Sequence, residues 1–159
     1  MGSSGAITGV AEIVLSVKDL PVMRRFYEDV LGFPLLSQAA HTEGMVADAE
    51  GEPTIAFLTI RELSTPLGRH GHPQLLVLID YQRHVFAKAS FDGHDPRRST
   101  LNHLAFEIDP KSYDGEAERL ERLDLAPRRT VFPAMQAKAL FFKDPEGNTL
   151  ELICHDPVP

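Results

Sequence analysis

The first recognisable pattern is a short alternating run followed by a helical stripe. From Glu12 to Val17 apolar residues fill every second position, which predicts a strand with Glu12 on the face opposite the apolar row. Asp19 is a suitable helix N-cap, and apolar residues then recur at helical spacing as far as Leu31. Gly32 is a typical helix stop. The pattern therefore predicts a strand followed by a helix.

Short apolar runs predict the other strands of the first half. They lie at Phe33–Gln38, Gly44–Asp48, Thr54–Ile60 and Leu75–Ile79. The stretch from Arg61 to Pro73 is irregular and rich in Pro, Gly and His. The polar segment Tyr81–Thr100 then predicts a linker, and its beginning, Gln82–Ser90, is compatible with a short helix.

The same order of patterns restarts after residue 100. Strand, helix and strand patterns follow at Asn102–Asp109, Gly115–Leu125 and Arg128–Phe132. The closing segment, Ala139–Cys154, has Asp-Pro-Glu-Gly between two apolar runs, which is typical of a hairpin. In its second strand, Glu151 points away from the face that holds the leucines.

Two halves with the same order of elements indicate an internal repeat. We expect an α+β fold in which two βαβββ modules form a cup-shaped, barrel-like mixed sheet with the helices on the outside. The expected boundaries are a flexible lead at 1–8, a first module at 9–80, a linker at 81–100 and a second module at 101–156. Together the modules would make one compact domain.

Composition narrows the class of protein. The chain has 159 residues, a formal net charge of −7 and 43% hydrophobic residues, which is ordinary for a globular protein. The negative charge argues against a nucleic-acid surface, and no apolar run approaches the roughly 20 residues of a membrane span. A single cysteine, Cys154, excludes an internal disulfide and a cysteine zinc cluster. We expect a cytoplasmic protein whose partner is a small molecule, not nucleic acid or membrane.

Three polar residues fall on the predicted cup side of three strands. When the first strands of the two halves are aligned in sequence, Glu12 and His103 occupy equivalent positions. Glu151, on the last strand, is predicted to face the same side. One imidazole and two carboxylates can bind a divalent cation and leave positions for a substrate. Iron, manganese, magnesium, nickel and zinc all remain candidates. We therefore predict metal ligands at Glu12, His103 and Glu151, with Glu12 also a candidate general base.

Several passages of the chain resemble the vicinal oxygen chelate superfamily. They are Ile13–Leu20, Phe26–Phe33, Asn102–Phe106 and Phe142–Leu152. This superfamily includes glyoxalase I, extradiol dioxygenases, fosfomycin-resistance enzymes and bleomycin-binding proteins. The resemblance implies a metal-dependent lyase, isomerase or dioxygenase that acts on a small oxygenated substrate through bidentate chelation. It also implies a homodimer.

The chain departs from the superfamily at three positions. Histidine or glutamine is commoner than glutamate at the position of Glu12. The strand Leu75–Ile79 lacks the carboxylate that glyoxalase I has there. The catalytic tyrosine of extradiol dioxygenases would fall near Phe141. These departures keep open a second function, a metal-free small-molecule binding or sequestering protein of the bleomycin-resistance type.

Each candidate ligand also has a structural interpretation. His103 could be an interior histidine with satisfied hydrogen bonds, and Glu12 a solvated residue at a strand end. Glu151 could pair with Arg128 or Arg129, because a buried carboxylate needs a partner.

Overall fold

The computed structural model describes residues 9–44, 46–60, 73–93, 95 and 97–155. The chain divides into two compact units, Met1–Gly93 and His94–Pro159. The predicted flexible lead and nearly all of the predicted irregular stretch lie outside the described residues, as do Met45 and His94.

The first unit is a four-stranded mixed sheet with one helix. Its elements are β1 (Glu12–Val17), α1 (Leu20–Asp29), β2 (Leu35–Ala39), β3 (Ile55–Ile60) and β4 (Gln74–Asp80). The strand order is β1-β4-β3-β2, with β1 parallel to β4 and the other pairs antiparallel.

The second unit repeats this plan. Its elements are β5 (Leu104–Glu107), α2 (Tyr113–Arg122), β6 (Arg128–Phe132), β7 (Ala137–Lys143) and β8 (Thr149–His155). Single turns of 3₁₀ helix lie at Pro110–Ser112 and Pro133–Met135. The strand order is β5-β8-β7-β6, and β5 is parallel to β8. The predicted α+β fold of two βαβββ modules is confirmed, as two separate four-stranded sheets, neither of which closes into a barrel within the described residues.

Each helix packs on one face of its own sheet. In α1, the Asp19 side chain accepts a hydrogen bond from the Val22 amide at 3.0 Å, and the helix buries Met23 and Tyr27 against β3 and β4. In α2, Ala117 and Leu120 are buried, and the helix packs on β7. We call the sheet face beneath the helix the helix face and the opposite one the far face. Neither described helix is long and apolar enough to cross a membrane.

The predicted strand at Gly44–Asp48 is wrong. Its described residues form bends and irregular chain, because the Asp48 carboxylate accepts hydrogen bonds from the Thr42 amide at 3.1 Å and hydroxyl at 2.6 Å. These bonds close a loop and hold the pKa of Asp48 below its usual value. The apolar Val46 is 84% exposed, so the apolar pattern that suggested a strand does not contribute to the core.

Two helix predictions also need correction. Residues 82–90 form a series of hydrogen-bonded turns in place of the expected short helix. The second helix begins at Tyr113 and ends at Arg122, not at Gly115 and Leu125. Asp109 caps the preceding 3₁₀ turn through the Lys111 amide, which moves the start earlier. Asp124 has a φ of 58°, which ends helical geometry before Leu125.

A polar cluster is buried in the first unit. Asp80 is 3% exposed and accepts a 2.6 Å hydrogen bond from Nε of Arg83, which raises the pKa of the guanidinium. His84 is 2% exposed, and burial is the main cause of its lowered pKa. The His41 ring, 5.5 Å away, lowers that pKa further, whereas the Asp80 charge opposes the change.

Candidate metal-binding site

The register of the second sheet decides which side chains share its far face. Ala105 of β5 lies beside Glu151 of β8, and Glu151 lies beside Phe141 of β7. Phe141 in turn lies beside Arg128 of β6. Side chains alternate between faces along a strand, so Glu151 lies on the far face while Leu150 and Leu152 lie on the helix face. A row of functional side chains thus crosses the sheet at Glu151.

His103 contacts Glu151 at the edge of this row. His103 Nε2 lies 3.0 Å from Glu151 Oε2. The Glu151 side chain is 5% exposed, whereas that of His103 is 35% exposed. A carboxylate this buried needs a charged or hydrogen-bonding partner. The partner is His103, and not Arg128 or Arg129 as the alternative interpretation proposed.

Asn102 sets the orientation of the imidazole. Its Oδ1 lies 2.7 Å from His103 Nδ1, so Nδ1–H donates to the amide oxygen. In the neutral ring this places the lone pair on Nε2, which is the atom that faces Glu151. Two acceptors facing each other repel unless a proton or a cation lies between them. The sequence signal for this role was an amide side chain directly before the histidine.

An aromatic ring and an arginine complete the far face around the pair. The rings of His103 and Phe141 meet edge to face with centroids 5.7 Å apart. The Arg128 guanidinium lies 5.0 Å from the centroid of Phe141. Arg129 instead forms ion pairs with Asp114 at 3.2 Å and Glu121 at 3.5 Å. Neither arginine therefore neutralises Glu151.

The separation of the two donor atoms fits a shared cation. Ligand atoms about 2.1 Å from a metal and at right angles to each other are about 3.0 Å apart. This is the distance from His103 Nε2 to Glu151 Oε2. Asn102 provides the outer hydrogen bond that metal-binding histidines commonly make. The chemistry of this donor set therefore fits a divalent ion, although a proton shared by the pair fits the same distance.

Glu12 lies in the other unit. It is exposed at the start of β1, where its register partner on β4 is Leu75. Within either unit, the described residues contain no group of three His, Cys, Asp or Glu side chains arranged to hold a metal. The second unit thus brings together two of the three expected ligands, and the role of Glu12 stays a prediction.

The loop histidines lie in the first unit or outside the described residues. His84 is buried in the first unit beside His41, where its Nδ1 accepts a hydrogen bond from the Phe86 amide at 3.2 Å. His70, His72 and His94 are outside the described residues.

Comparison with known families matches most of the chain to one superfamily. A model of the Glyoxalase/Bleomycin resistance protein/Dioxygenase superfamily matches residues 9–152. The chain belongs to this superfamily, as the resemblance of its motifs implied. Comparison with curated proteins gave no match.

Solved structures show the same fold at low identity. The lactoylglutathione lyase of Agrobacterium tumefaciens is 22% identical over 94% of this chain and 96% of its own, with a TM-score of 0.61. A glyoxalase/dioxygenase from Nostoc punctiforme is 23% identical over 98% and 97%, with a TM-score of 0.62. A mutant of the fosfomycin resistance protein FosX from Listeria monocytogenes, complexed with Mn(II) and 1S,2S-dihydroxypropylphosphonic acid, is 18% identical over 95% of each chain, with a TM-score of 0.63.

Proposed function

We propose that the protein is a metal-dependent enzyme that acts on a small oxygenated organic molecule. The observation that carries the proposal is the buried Glu151 carboxylate facing an imidazole nitrogen at 3.0 Å, with the other ring nitrogen bound to Asn102. His103 and Glu151 would hold the metal, and Glu12 would be a third ligand or a general base. The bound metal would act as a Lewis acid towards two neighbouring substrate oxygens. The FosX complex with Mn(II) supports this reading by family likeness.

The residues around the pair limit the chemistry. Phe141 contacts His103 but has no hydroxyl, so it cannot transfer a proton as a tyrosine would. This argues against ring cleavage of the extradiol type and favours lyase or isomerase chemistry. Phe141 instead shields one edge of the imidazole from water, which strengthens charge interactions at the site. A carboxylate at Glu12 could accept a proton from a carbon next to the chelating oxygens.

A second function has one observation in its favour. The far face of the first unit carries Val77, on the strand that corresponds to β8, so that unit offers no buried carboxylate there. A metal-free binding protein of the bleomycin-resistance type would need none. The His103–Glu151 pair would then be a structural ion pair.

Metal content separates these two functions. We would load the purified protein with Mn(II), Fe(II), Ni(II) or Zn(II), desalt it and measure bound metal by elemental analysis. We expect about one equivalent in the wild type and none in His103→Ala or Glu151→Gln. His155→Ala is the matched control, because His155 is an exposed histidine at the end of β8. Wild type without metal, or a His103→Ala variant that keeps it, would overturn the proposal.

The Glu12→Gln variant tests the contribution of the first unit. If Glu12 is a ligand, its loss weakens metal binding in the same assay. If Glu12 is a general base, Glu12→Gln keeps the metal but loses turnover.

A further inference from the structure

We infer that the substrate carries an oxyanion, such as a phosphate or carboxylate group, and that a pocket beside His103 binds it through Lys143. The inference rests on the proposed function, because it names the class of molecule that the same site would accept. The pocket lies wholly within the second unit and has a volume of about 250 Å³. Its polar lining includes Asn102, His103, Lys143, Asn148 and Thr149.

The lining chemistry suits an anion. Lys143 supplies a fixed positive charge, and hydroxyl and amide groups supply hydrogen-bond donors around it. None of the residues that line this described pocket is a carboxylate. Because the chain carries a net charge of −7, attraction of an anion must come from local cations such as this one.

Lys143 is held in place without being neutralised. Its Nζ donates a hydrogen bond to the Thr149 hydroxyl across the β7–β8 pair. Among the described residues it has no carboxylate partner, whereas Arg24, Arg119 and Arg129 all form ion pairs. Its charge is therefore available to a ligand, in a position already set by Thr149.

The sheet register places this charge next to the candidate ligands. Lys143 and Phe141 are two residues apart on one strand, so both lie on the far face, and Glu151 is the register partner of Phe141. Two residues along a strand span about 7 Å. His103 lines the pocket as well as contacting Glu151. A molecule whose anionic group lies a short carbon chain from its chelating oxygens fits both positions.

The test uses metal-free protein, so that anion binding is measured independently of the metal. ¹⁵N-labelled full-length protein would be stripped with EDTA, desalted and titrated separately with sodium phosphate and sodium acetate, with sodium chloride holding ionic strength constant. We expect saturable shifts of the Asn148 and Thr149 amide signals. Response to phosphate alone indicates a phosphate-type group, and response to acetate alone indicates a carboxylate.

Variants decide whether Lys143 is responsible. Lys143→Met should weaken binding about tenfold or more, because a charged hydrogen bond is lost, and Lys143→Arg should retain most of it. Lys111→Met is the matched control, since Lys111 is an exposed lysine of the same unit. Shifts that do not saturate, or equal affinities in wild type and Lys143→Met, would overturn the inference. Part of each preparation, reloaded with Mn(II) and desalted, is analysed for bound metal, which shows separately whether the proposed metal function fails.

Discussion

The two units share a backbone plan but differ in the chemistry of one row of side chains. In the first unit the row across the far face runs Val14, Val77, Phe57. In the second unit the corresponding row runs Ala105, Glu151, Phe141. Val77 is 1% exposed and Glu151 is 4% exposed. The same buried position is therefore apolar in one unit and charged in the other.

This difference shows what a buried charge requires of its surroundings. Glu151 has His103 at 3.0 Å, whereas the residue that corresponds to His103 in the first unit is Glu12. A carboxylate at position 77 would face that glutamate instead of an imidazole. The two units thus share the same strand order and pairing. Among the described residues, the imidazole–carboxylate pair occurs in the second unit alone.

The largest effect on stability should follow from introducing into the first unit a buried carboxylate like that of Glu151. Val77→Glu would bury an unpaired carboxylate and should lower the free energy of unfolding by about 3–5 kcal/mol. Adding Glu12→His should recover about 1 kcal/mol or more, because it recreates the imidazole partner. Urea denaturation of metal-free protein measures both effects.

Val14→Glu serves as the control for that experiment. Val14 lies in the same row but is 48% exposed, so the change should stay within about 0.5 kcal/mol. The comparison would be contradicted if Val14→Glu and Val77→Glu lowered the free energy of unfolding equally. It would also be contradicted if adding Glu12→His to Val77→Glu restored no stability.

Breaking the pair in the second unit should have the next largest effect. His103→Ala leaves Glu151 without its imidazole and should cost about 1–3 kcal/mol in metal-free protein. Glu151→Val copies the first unit and should cost less, since it removes the buried charge as well. Thermal or urea unfolding in the absence of metal ranks the two variants. A larger loss in Glu151→Val would show that burial of Glu151 does not depend on His103.

Removal of the orienting amide should have a smaller effect, seen in metal affinity. Asn102→Leu loses the 2.7 Å contact with His103 Nδ1 and should weaken metal binding about tenfold. Asn102→Asp keeps an acceptor and should bind nearly as well as the wild type. ¹⁵N spectra of the imidazole provide an independent readout, since Asn102→Leu should lower the fraction of His103 that carries its proton on Nδ1. Unchanged tautomer populations would exclude this role.

The smallest effect should be the contribution of His84, in the unit that lacks the pair, to the pH dependence of stability. Its pKa is lowered in the folded state, so the unfolded chain takes up a proton more readily below about pH 6.5. Stability should be fully present above that pH and fall as the pH drops towards the folded pKa. His84→Gln should flatten this dependence in urea denaturation from pH 7.5 to 5.5. An unchanged slope in His84→Gln would assign the dependence to other groups.

Most of the fold follows from local patterns in the sequence. Both helices and eight strands were expected near their observed positions, and β6 has the predicted bounds, Arg128–Phe132. Alternation sufficed to predict β1, because Leu15 and Val17 are buried on one face of that strand. The additional strand at Gly44–Asp48 was wrong because an apolar residue such as Val46 can be exposed in a loop closed by hydrogen bonds to Asp48.

The site was predictable only as far as strand faces determine it. The alternation of side chains between the two faces of a strand placed Glu151 on the face opposite Leu150 and Leu152. The same alternation could have placed Lys143 on the face of Phe141. The bond from His103 to Asn102 depends on the rotamers of adjacent residues, which no periodicity encodes. The position of Glu12 relative to the pair depends on how two separately packed sheets associate, so its sequence position alone cannot determine it.

The parallel pairing of β5 with β8 also bears on how the protein folds. His103 directly precedes the first strand of the unit and Glu151 lies on the last, so most of the unit separates the two residues along the chain. Contacts between distant residues require a large loss of chain entropy before they contribute any stabilisation, and they slow folding. We therefore expect the hairpin of β7 and β8 to form before the two ligands meet. During synthesis, the candidate site would be among the last parts of the unit to assemble.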